Sequence, residues 1–384
     1  MNKAKIKVCI LGASGFVGRA LVERLIDRDD IDIRAVIRSP GNAWSILRFG
    51  LDLVQADVLN IESLRKAIKG CTHVVNLSLG AFNELPTGIT NIIKVCNECG
   101  VNRLIHLSSI TVYGDSPSKE SEFETGPVLA KKGTYGWFKA QQDLIVEEAN
   151  NKGLSSVVLC PPHITGAYGR IFHQVLDSIT EGTFALIEDG HYPCNLVDIN
   201  NLCNAIELSL FISETDGKRI FITNGDEYTW KDFALQVAEM AGIDPLTIPS
   251  IPANKCVKIT AKKISLPQYI KWVLQSSNTK EYIKGTFIGR NKTIKGAIKK
   301  LVKIGGISTS PNSSQSEISF KNPLPINYNL CHQQLRGVRH KITRAEKVLV
   351  YYPKINSAQS FKTFEKYYQT LFDYNSEYWD LIKK

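Results

Sequence analysis

Residues 6–18 read IKVCILGASGFVG. The β-branched and apolar run 6–11 has the composition of a strand buried on both faces, and Gly12, Gly15 and Gly18 then punctuate the entry to an apolar helix. This spacing predicts a dinucleotide-binding turn. Gly12 permits a tight exit from the strand, Gly15 lets the backbone approach a pyrophosphate, and Gly18 lets helix and strand pack closely. The free N–H groups of the turn and first helical residues, from Ser14 through Phe16 and Val17, would face the negative charge.

Outward from this stretch the chain alternates strands and helices, as a doubly wound α/β Rossmann-type parallel sheet requires. Strands are expected over 31–37, 51–55, 74–79, 104–107 and 156–159, the last stopped by Pro161 and Pro162, which cannot donate to a ladder. Helices are expected over 16–27, 88–99 and 135–149. Beyond 165 the rhythm loosens: helices over 172–180, 202–211 and 230–241, with short strands near 184–187, 196–199 and 219–222, make a smaller region that would cap the crevice. The expected divisions are a nucleotide-binding domain over 1–165, a substrate-binding region over 166–254, a basic insertion over 255–341 and a helical C-terminal closure over 342–384.

With 384 residues, 43% of them hydrophobic, the chain can bury a sizeable core. Its formal charge of +10 is unevenly placed: residues 255–347 hold 19 Lys or Arg against three acids, Glu281, Glu317 and Glu346, so this segment carries +16 and the remainder −6. Such a segment reads as a solvated cationic insertion, or as a surface for an acidic carrier protein or an anionic membrane. No nucleic-acid module or spaced aromatic platform accompanies it, so nucleic acid is not expected as a partner. No apolar run approaches the length of a transmembrane segment, and the charged start followed directly by a strand makes a poor signal peptide. Nine scattered cysteines, an odd number, suit a reducing cytoplasm. Cys96 and Cys99 fall within an expected helix and read as packing, and the seven histidines form no metal-ligand pattern, so no metal site is expected.

Tyr135 and Lys139 lie four residues apart and share one face near a helix start. A phenol is a poor base at its ordinary pKa of about 10, but a cation held close favours the phenolate and would draw that value down. Lys139 is also placed to donate to a cofactor ribose. Ser109 follows a strand at the sheet's carboxyl edge, where its hydroxyl would donate to a substrate oxygen as negative charge builds there.

Together these residues resemble the extended short-chain dehydrogenase/reductases, which include nucleotide-sugar epimerases, dehydratases and hydroxysteroid or flavonol reductases. The resemblance lies in GASGFVG (12–18), HLSSITVYG (106–114), YGWFK (135–139), PPHITGAYG (161–169) and GHYPCNLVDINNL (190–202). It implies that Ser109, Tyr135 and Lys139 are catalytic and that Tyr135 and Lys139 also touch the cofactor. It further implies that Asp57 and Val58 meet the adenine, that Leu77, Ser78 and Leu79 line the cofactor's other side, and that Pro162, His163 and Ile164 shape the nicotinamide pocket. Loop structure is the alternative role for His163. A homodimer through the helices flanking the fourth and fifth strands is also implied.

Three departures narrow the activity. Dehydrating relatives carry Asp-Glu after the active hydroxyl, where this chain has Ile110 and Thr111, so that elimination lacks its acids. Cys160 replaces the usual arginine before the paired prolines, and Leu85 stands where many relatives carry asparagine; both argue against a standard sugar-nucleotide pocket. At the end of the second strand, Arg38 and Ser39 stand where an acid usually holds an unphosphorylated ribose. A forked contact from Arg38 to a 2′-phosphate would favour NADP, with NAD the alternative. The expected activity is an NADP-preferring oxidoreductase interconverting a carbonyl and a secondary alcohol on a small metabolite. An epimerase with retained NAD and a non-catalytic cofactor sensor are the alternatives.

Overall fold

The computed structural model describes residues 5–212, 215, 217–254 and 326–382. The basic stretch 255–325, with the carrier or membrane contact expected of it, lies outside the described residues. In chain order the strands are β1 (Ile6–Leu11), β2 (Ile31–Ile37), β3 (Asp52–Gln55), β4 (His73–Asn76), β5 (Arg103–Leu107) and β6 (Ser156–Cys160). Five shorter ones follow: β7 (His163–Thr165), β8 (Leu186–Ile187), β9 (Leu196–Asp198), β10 (Arg219–Phe221) and β11 (Ser250–Ile251). The main sheet is parallel throughout and has the order β10-β6-β5-β4-β1-β2-β3. The chain winds outward from β1 to β3, then crosses back to β4 and winds the other way. That reversal leaves a crevice beyond the carboxyl ends of β1 and β4, where open α/β sheets bind ligands.

Both faces of β1 are buried, and alternate residues go to different layers. Val8 and Ile10 join a core with Leu21, Val22 and Leu25 of α1 (Phe16–Leu25). Cys9 and Leu11 join the opposite core, with Leu64, Ala67 and Ile68 of α2 (Ile61–Ile68) and Ile89, Ile92 and Val95 of α3 (Leu85–Glu98). Ala140 and Val146 of α4 (Tyr135–Asn151) complete that second layer. Side chains begin several helices: Asn60 accepts from Ser63 N before α2, and Thr134 accepts from Trp137 N before α4.

A third core unites α5 (Arg170–Thr180) with the C-terminal part of the chain. After α6 (Ile199–Phe211), which packs on α1, comes α7 (Trp230–Met240), whose Trp230 and Phe233 join this core. So do Leu330 of α8 (Tyr328–Leu335) and, beyond α9 (Thr343–Leu349), Phe361 and Phe364 of α10 (Ser357–Ile382). The ring of Phe172 stacks on Phe364 at 4.6 Å. Gln334 of α8 accepts from Ile187 N and donates to the Ala185 carbonyl, both at 2.8 Å. Residues 326–341, grouped by charge with the insertion, therefore pack with the main body.

Several details differ from the sequence-based expectation. β4 ends at Asn76, so Leu77–Leu79 are not strand but the exit from it, with Leu77 and Ser78 half-buried and Leu79 exposed. Helix α2 was not expected, and α3 begins three residues earlier than expected. His163 and Ile164 lie in β7, paired with β9. Among the described residues no helix is long and apolar enough to cross a membrane, and the eight described cysteines are free.

Candidate active site

The glycine turn stands at the sheet's reversal. Gly12 has φ +84°, and a Cβ built on it would lie 2.9 Å from the Leu77 carbonyl oxygen. At Gly18 a Cβ would fall 2.2 Å from Gly12 O, so helix and turn meet at backbone contact. Gly15 is the residue before α1 and offers no side-chain cap, leaving the first N–H groups of the helix for another acceptor. A strand exit closed to side chains, followed by an uncapped helix start, fits the pyrophosphate of a dinucleotide.

The other expected cofactor residues surround this turn. Arg38 and Ser39 follow β2 in exposed positions, with the Arg38 carbonyl accepting from Gln55 Nε2 at 3.2 Å. Asp57 is fixed above α2: its Oδ1 accepts from Leu59 N at 2.9 Å and its N–H donates to Ser63 Oγ at 3.1 Å. The carbonyl of Val58 accepts from Asn91 Nδ2 at 3.0 Å. Leu77 N donates to Leu11 O at 3.0 Å, tying the exit of β4 to that of β1. Ser78 donates to Asn76 Oδ1 at 2.6 Å, while Leu79 is turned toward solvent.

Beside β4, the end of β5 leads to Ser109, and α4 carries Tyr135 and Lys139 toward it. Lys139 is buried and its Nζ donates to the Leu107 carbonyl at 2.9 Å, two residues before Ser109. Two residues after Ser109, Thr111 presses on α4: a Cβ at Gly136 would fall 2.1 Å from Thr111 O. Ser109 is thus held against the start of α4, where Tyr135 is the first residue. The half-buried Ser109 Oγ accepts from Thr111 N at 3.2 Å, which leaves its hydroxyl hydrogen available to an external oxygen.

The ionisation of Tyr135 departs from the sequence-based expectation. Burial lifts its phenol above the ordinary value, with the Asp143 carboxylate adding to the effect. The Lys139 ammonium lies 5.9 Å from the phenol ring centroid and is directed at a carbonyl, so desolvation outweighs its pull. Tyr135 is held in its acid form. Burial also pushes Lys139 down to about 8, against the Asp143 carboxylate, which favours the ammonium.

Below this set lies a buried polar cluster absent from the sequence reading. Asp143 Oδ2 accepts from Ser108 Oγ at 2.9 Å and from Arg219 Nε at 2.6 Å. Its other oxygen faces His106 Nε2 at 3.9 Å, beyond hydrogen-bond reach. His106 Nδ1 meets Asn76 Nδ2 at 3.1 Å; since the amide nitrogen donates, Nδ1 accepts and the ring proton sits on Nε2. Desolvation, aided by Lys139, drives His106 well below its ordinary pKa and keeps it neutral. Asn76 in turn holds Ser78. Two hydrogen-bonded groups thus lie side by side, Ser108–Asp143–Arg219 and His106–Asn76–Ser78, meeting only where Asp143 faces the neutral His106 ring. Asp143 was within reach of sequence reasoning, one helical turn after Lys139; Arg219, 76 residues further on, was not.

Pro162 is buried, and half-buried His163 sits with its ring 6.4 Å from that of Trp230. Burial, reinforced by Arg336, pushes the His163 imidazole down to about 3, so it acts as a neutral group. Ile164, next on β7, is likewise half-buried. Among the described residues no cluster of three His, Cys, Asp or Glu side chains is arranged to hold a metal ion.

A glycine cradle at the switch point, with a serine, a tyrosine and a lysine gathered at the neighbouring strand end, defines a Rossmann-fold oxidoreductase of the nicotinamide-dependent class. The chain belongs to the NAD-dependent epimerase/dehydratase family, whose model matches residues 8–220. It is similar to the 4-hydroxy-2-methyl-3-oxo-4-farnesyl-3,4-dihydroquinoline-1-oxide ketoreductase of Stigmatella aurantiaca, 25% identical over 250 residues, 62% of this chain and 74% of that one. It is also similar to a dihydroflavonol 4-reductase of Callistephus chinensis, 26% identical over 330 residues, 72% of this chain and 87% of the other. In fold it resembles the UDP-glucose 4-epimerase of Thermotoga maritima, with a TM-score of 0.64 at 15% identity over 96% of this chain and 100% of that one.

Proposed function

We propose that the protein is an NADP-preferring reductase that converts a carbonyl on a small metabolite to a secondary alcohol. The observation that carries this reading is Tyr135, held in its acid form at the start of α4 beside Lys139, with Ser109 on the adjoining turn. The glycine turn and the start of α1 would hold the cofactor pyrophosphate, Asp57 and Val58 its adenine, and Lys139 its ribose. When bound, the nicotinamide supplies the reducing equivalent.

The chain's own residues then handle the substrate oxygen. Ser109 orients it through its free hydroxyl hydrogen, and Tyr135 gives it a proton. The Lys139 ammonium steadies the phenolate that remains. Arg38, exposed beyond β2, offers a guanidinium fork to a 2′-phosphate. The names of the ketoreductase and dihydroflavonol reductase relatives support the reducing direction.

Tyr135→Phe tests this assignment. Turnover of ketones with NADPH should fall at least about a hundredfold, the lower range for loss of a general acid, while NADPH still binds. Undiminished turnover in that variant overturns the role of Tyr135. Freshly purified protein should bind NADPH more tightly than NADH; tightly retained NAD, with product formed and no NADPH consumed, would instead mark an epimerase.

A further inference from the structure

Large apolar side chains stand open around the proton donor. Phe82 is 42% exposed and Leu79 58%, and both belong to the segment between β4 and α3. Val128 and Leu129, at 44% and 49%, lie on the loop that precedes α4. The Phe82 segment lies against Tyr135, and the loop that carries Val128 and Leu129 meets α4 at the next residue, Gly136. The Phe82 ring lies 5.1 Å from the Tyr135 ring, inclined by 50°. Ala130 Cβ is 3.3 Å from where a Cβ on Gly136 would stand, and the Leu129 carbonyl covers Gly114.

Phe82 does not hang on a loose loop. Its turn is closed by Glu84, whose N–H donates to Ala81 O at 2.9 Å and whose Oε2 accepts from Ala81 N at 3.3 Å. The following residue, Leu85, is fixed to α4 through its carbonyl, which accepts from Gln142 Nε2 at 2.9 Å. An aromatic face held open on a pinned turn costs hydration free energy and is retained where something covers it.

What covers it is constrained by the chemistry. The reacting oxygen must lie within hydrogen-bond reach of Tyr135 and Ser109, so the carbon skeleton attached to it extends past Phe82, whose ring lies beside the Tyr135 ring. A hydroxyl-rich ring there would give up water at Leu79 and Leu129 without gaining partners. Resting on the reductase reading above, we infer that the substrate is a ketone with a hydrophobic, ring-bearing body whose flat face lies on Phe82, and not a sugar nucleotide. Phe82 is then a specificity residue for the body, separate from the groups that act on the oxygen.

The test uses the full chain with NADPH and three probes: 2-acetylnaphthalene, butanone and UDP-glucose. The bicyclic ketone should be preferred over butanone in kcat/KM. Phe82→Ala should cut that preference by about tenfold, chiefly through KM, and Phe82→Leu should restore part of it. Reduction of both ketones with a preference that Phe82→Ala leaves unmoved overturns the inference and leaves the reductase reading intact. Epimerisation of UDP-glucose with neither ketone reduced overturns both, as does the lack of any turnover that depends on Tyr135. Cofactor binding by each Phe82 variant shows that it is folded.

Discussion

Two opposing effects meet at Lys139. Removing water from its ammonium pushes the pKa down to about 8, and the carboxylate of Asp143, one turn along α4, pulls it back. The same carboxylate is lifted by its own burial and lowered by Arg219, while His106 beside it stays neutral. Asp143→Asn keeps the shape of the site and removes the charge. Lys139 should then lose its proton at lower pH, so an alkaline fall in kcat/KM governed by Lys139 should move down by about one unit. The variant should also unfold more readily, by about 1–3 kcal/mol, because the half-buried Arg219 is left without its counter-ion. A pH–rate profile of Asp143→Asn beside Asp143→Glu checks the charge effect: coincident alkaline limbs would show that Asp143 does not set Lys139. Tyr135 and Lys139 were legible in the sequence because one helix turn relates them. Their ionisation was not, since it depends on burial and on a carbonyl contributed by β5.

The placement of Ser109 beside Tyr135 depends on how closely α4 approaches the turn after β5. Thr111 O would be 2.1 Å from a Cβ at Gly136, too close for any side chain to be accommodated without moving one of the two segments. Gly136→Ala should therefore destabilise the fold by about 1–3 kcal/mol and separate Ser109 from Tyr135, lowering turnover far more than cofactor affinity. Gly100→Ala is the contrast: its Cβ would meet nothing within 4 Å, and with φ +66° only backbone strain of about 1 kcal/mol is added. Urea midpoints and turnover of the two variants check this. Equal turnover in both would show that the close approach does not position the site. The same reasoning explains which elements the sequence made readable. β1 and α1 are long, apolar and punctuated by glycine, and they were read in place. By contrast, α2 has eight residues, IESLRKAI, with only Leu64, Ala67 and Ile68 buried, too brief a pattern to stand out beside its charged neighbours. Strands such as β7 and β11, with three and two residues, exist through partners far away in sequence.

At the scale of the whole molecule, the chain after 326 returns to close on the main body, and His340 is where that return is locked. Its imidazole is buried, lies 4.6 Å from the Phe221 ring, and donates from Nδ1 to the Ser121 carbonyl at 2.7 Å. Its backbone N–H donates to Asn195 Oδ1 at 3.0 Å, and nearby Tyr351 donates to the Thr223 carbonyl at 2.9 Å. Burial pushes the His340 pKa down to about 4 from an ordinary value of 6.5, with Arg336 also disfavouring the charge against the Ser121 carbonyl. A histidine neutral in the folded chain contributes stability that is present above its unfolded pKa. As pH falls from 6.5 toward 4, the unfolded chain takes up a proton that the folded one refuses, so the contribution is lost across that window, up to roughly 3 kcal/mol. His163, pushed down to about 3, continues the loss to lower pH. His340→Gln removes the titration: the variant should be less stable than the parent at pH 7.5 and should lose less between pH 6.5 and 4. Urea midpoints across that range decide it, and parallel curves for parent and variant would show that the return of the C-terminal chain is not what acid releases.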